Sequence, residues 1–242
     1  MTGFGGLVVR RECWTLSWRG KLVLLGLGLA FALAARWEAY PFLAVNHPVN
    51  GSVLIVEGWI SPNVLNQTAV EFARGKYRRL LVVRAVYDAE HPFAGRASDE
   101  FISARLLQYG VPRDSLYTLF YTATQRDRTY HSALAAKAWF AKNGGYPKSL
   151  NVATVGPHAR RSWLLYQKAF LNTAEVGIVA LEDPTYDPKR WWGASEGVRE
   201  VLGEAIAYVY AKFFFGWTQT RYSTVAPLEM NSCLTSAAKS AK

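Results

Sequence analysis

The chain has 242 residues, half of them hydrophobic, with nine Trp and a formal charge of +10, enough to bury one full core and short of a second. Part of that charge lies outside the expected domain, in Arg10, Arg11, Arg19, Lys21 and Arg36 around an N-terminal apolar run and in Arg221, Lys239 and Lys242 of the tail. The remainder is mildly basic, with no concentrated basic face or recognisable module, which argues against a nucleic-acid partner and suits an anionic membrane surface or an anionic ligand.

Leu22 to Ala35 is an uninterrupted apolar run of fourteen residues between Lys21 and Arg36. A spanning helix needs about 20 residues, and snorkelling by the two cations, with Trp18 and Trp37 at the interfaces, extends the run to an anchor over 22–38. Positive residues concentrate before it, so 1–21 is expected in the cytoplasm and the domain on the extracytoplasmic side of the inner (plasma) membrane, held by a single pass. The rivals are a cleaved signal peptide, because Ala32-Leu33-Ala34 has the small-x-small form, and a buried helix of a soluble protein. Across an anchor, Cys13 and Cys233 face different compartments and cannot pair, and neither has metal-ligand spacing.

Residues 39–51, punctuated by Pro41, Pro48 and Gly51, read as a linker. Strands and helices then alternate. Val53–Glu57 is a strand, 63–74 a helix ended by Gly75, 80–83 a strand, and 98–109 a helix capped by Ser98 and closed by Gly110. A weaker strand over 116–120 precedes a helix over 129–142, and a strand over 150–155 precedes a helix over 159–171. A strand over 176–181 and a long helix over 195–215 complete the series, with Val198, Val201, Leu202, Ala205, Ile206 and Val209 as its core stripe. Residues 218–242 are polar, small and expected to be disordered. The pattern predicts an α/β, Rossmann-like, three-layer domain over 52–217 with a parallel sheet and one N-terminal transmembrane helix.

Ligands in such folds bind beyond the carboxyl ends of the strands, which selects a few loops. Gly156-Pro157-His158 turns from a strand into a helix whose N-terminus favours anions, with Arg160 and Arg161 available for a phosphate or carboxylate. The alternative is that His158 only caps and both arginines are solvated. Glu57 ends an apolar strand, so its carboxylate is either paired, with Arg84 as the partner, or part of a site. Asp127 or Thr129 suits a helix N-cap, and Asp127, Arg128 and Thr129 together suit a polar ligand. His131 fits an ordinary packed position, and His47 and His91 have no spacing pattern. Glu196, Arg199 and Glu200 read as helix-surface pairs, and the Phe213–Trp217 end as a bilayer contact or a core edge. No His, Asp and Glu cluster has metal spacing, so no metal is expected. S-adenosylmethionine would fit the fold, but no signature demands it, and the cofactor is open.

The residues that carry a resemblance are Val53-Leu-Ile-Val-Glu-Gly-Trp59, Arg74-Gly75-Lys76-Tyr77, Gly110-Val111-Pro112 and Asp127-Arg128-Thr129. They continue with Thr154-Val-Gly-Pro-His158-Ala-Arg-Arg161-Ser162 and the 192–204 region. Over roughly 52–215 the chain resembles the ElyC/SanA/YdcF family, a bacterial envelope-associated family of unknown biochemical activity. His158 and Arg161 match its paired His and Arg, and Thr129 and Ala133 its Thr and Ala. It departs at Val83-Arg84-Ala85, where the family has Ser-Gly-Gly, at His131-Ser132, where it has Glu-Asn, and at Glu57-Gly58-Trp59 in its glycine-rich first loop. The resemblance implies a Rossmann-like fold, a membrane anchor and a role in envelope biogenesis.

The expected function is an envelope hydrolase or transferase acting on a phosphorylated or lipid-linked cell-wall or polysaccharide precursor. In it Glu57 and His158 are catalytic, and Arg84, Asp127, Arg128, Thr129, Arg160 and Arg161 hold the ligand. The alternative is a non-catalytic ligand-binding or scaffold protein, which holds a nucleotide-like or lipid-linked ligand in the same crevice or docks a protein partner through its tryptophan-rich surface.

Overall fold

The computed structural model describes residues 16–86, 99–124 and 126–216. The Ser98 cap, His91, both cysteines and the tail lie outside them. The described residues divide into two compact units between Glu38 and Ala39.

The first unit contributes most of α1 (Trp18–Leu43), 26 residues and longer than the apolar run alone. At 1.5 Å per residue it extends about 39 Å, past the roughly 30 Å of a hydrocarbon core. It is long and apolar enough to cross a membrane, and Leu22, Leu25 and Leu29 are exposed, unlike those of a core helix in a soluble protein.

The second unit is a sheet of five parallel strands in the order β3-β2-β1-β4-β5: β1 (Val53–Glu57), β2 (Arg79–Val86), β3 (Leu116–Thr122), β4 (Ser149–Val155) and β5 (Glu175–Leu181). Between them run α2 (Pro62–Arg74), α3 (Asp99–Gln108), α4 (Arg128–Lys142) and α5 (Ala159–Ala169), and α6 (Ser195–Phe213) ends the series. Every β1 residue is buried, as expected of a strand covered on both faces. The two-residue period divides the core. Leu54, Val56, Leu80 and Val82 pack with Val64, Leu65, Phe72, Ile102 and Leu106 of α2 and α3. Val53, Ile55, Leu81, Leu150 and Val152 pack with Ala133, Phe140, Tyr166 and Phe170 on the α4 and α5 side. This is the expected α/β, Rossmann-like, three-layer arrangement.

Two expectations need correction. The stretch after the anchor is no free linker. The helix runs through Pro41, and Tyr40 and Leu43 are buried with Tyr186, Trp191 and Val201, so packing outweighs the hydrogen bond that proline removes. Beyond it, His47 bridges Ile178. The core stripe of α6 is also turned. Gly197, Val201 and Ala211 are its buried residues, whereas Leu202, Ile206 and Val209 are 52%, 73% and 48% exposed. Of the Phe213–Trp217 end, Phe215 takes a core-edge place, buried against Leu165 and Ala211, Phe213 and Phe214 are exposed, and Trp217 lies outside the described residues.

Asn151 shows what fixes the returning segment. Its side chain accepts from Val49 N–H and donates to Val49 C=O and to Tyr77 Oη, each at 2.8 Å. Asn151 is 1% exposed, and Gly177 leaves room for it, since a Cβ there would also fall 2.6 Å from Val49 N. Asn151→Ala strands these groups and is expected to lower stability by about 2–3 kcal/mol in urea denaturation followed by tryptophan fluorescence. A loss below about 0.5 kcal/mol, the size of an ordinary surface change, contradicts this account.

Candidate functional site

Strand order reverses between β1 and β4, which opens a crevice at their carboxyl ends. Glu57 ends β1, and β4 leads through the 3-10 turn Gly156–His158 into α5. Gly156 sits at φ +43, a conformation that favours glycine, and this sharp turn delivers His158 to the head of α5.

Period and register decide what surrounds Glu57. It continues the Val53, Ile55 series and therefore faces α4 and α5, as Thr154 does after Leu150 and Val152. Its carboxylate is 2% exposed and accepts from Thr154 Oγ1 at 2.6 Å and Ser162 Oγ at 3.2 Å. His158 Nε2 lies 3.4 Å away. The partner is not Arg84. Glu57 registers with Val83, so Arg84 is one residue further on and faces the α2 and α3 side, where its stem lies against Gly58. The structure leaves Arg84 out of this cluster.

Thr129 is buried inside the first turn of α4. Its Oγ1 accepts from Arg161 NH1 at 3.2 Å and lies 3.5 Å from His158 Nε2. Arg161 meets a residue not anticipated, Glu204 of α6. Nε donates to Oε2 at 2.7 Å and NH2 to Oε1 at 2.9 Å, a fork-on-fork ion pair. His158 Nδ1 is 2.8 Å from Glu204 Oε1. The same Nδ1 is 2.8 Å from Arg161 NH2, and the two proximities have one consistent assignment. Nδ1 carries hydrogen and donates to Glu204, and NH2 donates to the same carboxylate rather than to the ring.

The charges agree. Burial alone would depress the His158 pKa, but Glu57 and the Glu204 hydrogen bond outweigh it and hold the imidazole above its ordinary value. Burial likewise opposes the ionised form of Glu57, and His158, Thr154 and Arg161 overcome it, so its pKa falls. Glu204, despite burial, is pulled to about 2 by His158 and Arg161. Burial works against the Arg161 cation too, and Glu204, Glu57 and Asp127 raise its pKa. When His158 is protonated, two carboxylates and two cations form a closed, neutral network.

The other expected residues lie at its margin or away from it. Asp127 occupies the N-cap position of α4 in the left-handed region, φ 54, without a side-chain cap bond, and contributes charge only. Arg128 is exposed, and its carbonyl accepts from Tyr121 Oη. Arg160 donates to Phe42 C=O and stacks over the Phe42 ring, so it holds the segment ahead of the sheet instead of a ligand. Trp59, 58% exposed, sets its ring 4.9 Å from that of His158 at 71° and forms the solvent-facing wall.

Chemically, the site can orient an imidazole through Nδ1 and present Nε2 as a proton donor, with Glu57 holding the proton in place. No family model matches the chain, and no curated protein matches it. A similar solved structure is pantothenate synthetase from Thermus thermophilus, 14% identical over 76% of this chain and 81% of that one, with a TM-score of 0.35. A likeness of that degree bears on neither ligand nor reaction.

Proposed function

We propose that this chain is a membrane-anchored envelope protein, an enzyme acting on an anionic, phosphorylated or lipid-linked precursor of cell wall or polysaccharide. The anchor crosses the inner membrane once with its N-terminus in the cytoplasm, and the domain lies on the extracytoplasmic side. The observation that carries the reading is His158, held at the switch-point crevice by Glu204 on Nδ1 and by Glu57 near Nε2. The resemblance of the 154–162 segment to the ElyC/SanA/YdcF family supports the envelope setting.

In this reading a protonated His158 is the general acid that transfers a proton from Nε2 to a leaving oxygen. Glu57, with its lowered pKa, is a poor base near neutrality and keeps the imidazole charged. Arg161, whose NH1 keeps a second hydrogen beyond its bond to Thr129, meets the anionic group alongside the α5 N-terminus. His158→Ala, expressed at the normal level, is expected to leave an envelope-stress phenotype of the deletion strain uncorrected, whereas Arg199→Ala on the exposed face of α6 corrects it. Full correction by His158→Ala removes the catalytic role.

A second reading, a non-catalytic ligand-binding or scaffold protein, is favoured by the completeness of the ion-pair network. Mass spectrometry of a co-purifying ligand separates the two: a ligand consumed over time supports the enzyme, and one retained unchanged supports the binder.

A further inference from the structure

The buried side of α6 packs on two neighbours. Val201, Ala205 and Tyr208 meet Tyr40 and Leu43, with Phe42 edge-on to Tyr208 at 5.6 Å, and Ala211 meets Leu165 and Phe215. The opposite side is apolar as well. Leu202, Ile206, Val209 and Phe213 follow i, i+4, i+7, i+11 spacing and form one stripe, with Ile206 73% and Phe213 70% exposed. The stripe runs about 16 Å along the helix. Phe214 extends it, and exposed Lys212 stands beside it.

We propose that this stripe lies in the headgroup interface of the bilayer, as a second membrane contact of the domain; the proposal rests on the reading of α1 as the span. Two observations select lipid over protein. Tyr40, Phe42 and Leu43, on which α6 packs, follow the apolar segment directly in the chain, so only a few residues separate the contacts of α6 from the proposed span. Exposed Lys212 beside the C-terminal end of the stripe supplies a cation for anionic headgroups, as an interfacial helix requires. A second copy of the chain is the poorer fit. The four side chains expose on the order of 400 Å², about half of what each partner of a stable protein interface buries.

The test uses the full chain, with Cys13→Ser and Cys233→Ser, reconstituted in vesicles of phosphatidylethanolamine and phosphatidylglycerol. A bimane label is placed by Ile206→Cys or, as a control on α4, by Lys142→Cys. The Ile206→Cys label is expected to emit to the blue, to lose most of its intensity to doxyl-labelled lipid and to resist iodide. The Lys142→Cys label is expected to do the opposite. A Phe213→Glu change added to Ile206→Cys is expected to cut the lipid quenching severalfold while the protein still floats with the vesicles. Flotation with the Ile206→Cys label as open to iodide as the control overturns the proposal alone, as does an oxidant-induced dimer linked through Ile206→Cys. A chain that does not float overturns both this proposal and the membrane anchor.

Discussion

Replacing Glu204 with leucine is expected to lower the stability of the domain by about 3 kcal/mol, because removing one partner of a buried pair leaves the other charge uncompensated. Two groups lose their acceptor at once, the Arg161 fork and His158 Nδ1. Arg161 and Glu204 side chains are each 19% exposed, which places the pair between a buried and a surface bridge and sets the estimate at the low end of the buried range. The comparison is internal. Glu196 forms a 3.1 Å pair with Arg199, but in an exposed setting, so Glu196→Leu is expected to leave the unfolding midpoint nearly unchanged. Arg161→Met combined with Glu204→Leu removes both charges of the fork and is expected to recover part of the loss. Urea unfolding of the four proteins under one condition decides the matter. Equal effects from Glu204→Leu and Glu196→Leu show that the network does not hold α6 on α5.

Glu204 was legible in principle. Gly197, Val201, Glu204, Tyr208 and Ala211 fall on one helical stripe, and a lone carboxylate on a buried face needs a charged partner. The phase misled, because Leu202, Ile206 and Val209 are larger and more apolar than the residues on the buried side, and hydrophobicity alone points α6 the wrong way round. A helix with two apolar sides gives a periodicity argument no unique answer. The sheet was easier. Five short β-rich runs in alternation with helices admit a parallel, doubly covered arrangement and little else, and the strand-end rule then selected Glu57 and His158. Arg84 shows the limit of that rule. It is near the end of the strand beside Glu57, but one residue of register sends it to the other face. Thr154 and Ser162, both buried donors to Glu57, carry no sequence mark that separates them from ordinary core hydroxyls.

The same network is expected to make stability decline on both sides of a mildly acidic optimum, and the alkaline decline identifies its source. Glu204 and Glu57 have lowered pKa values, so their contribution is complete above the ordinary carboxylate value and is lost as pH falls, for Glu204 toward about 2. Glu200 is shifted upward by burial and works in the opposite sense there, which blunts the acid limb. His158 is raised. Its contribution is full below the unfolded value of 6.5 and disappears as pH climbs through the higher folded value. His131, lowered by burial, works in the opposite sense, and its contribution rises with pH until the unfolded imidazole has lost its proton above 6.5. Tyr40 and Tyr77, pushed up to about 12, act only beyond their ordinary 10. Lys168, lowered by burial and by Lys212, works in the opposite sense below its ordinary 10.5, so between 6.5 and the tyrosine range His158 is the one group among those described with a resolved shift that makes stability fall as pH rises. The melting temperature of the full-length protein is expected to fall as pH climbs above 6.5, and that of His158→Gln, lower at the start, to show no such fall. A parallel fall in both proteins would remove His158 from the alkaline limb, and with it the support for a protonated imidazole held between Glu57 and Glu204.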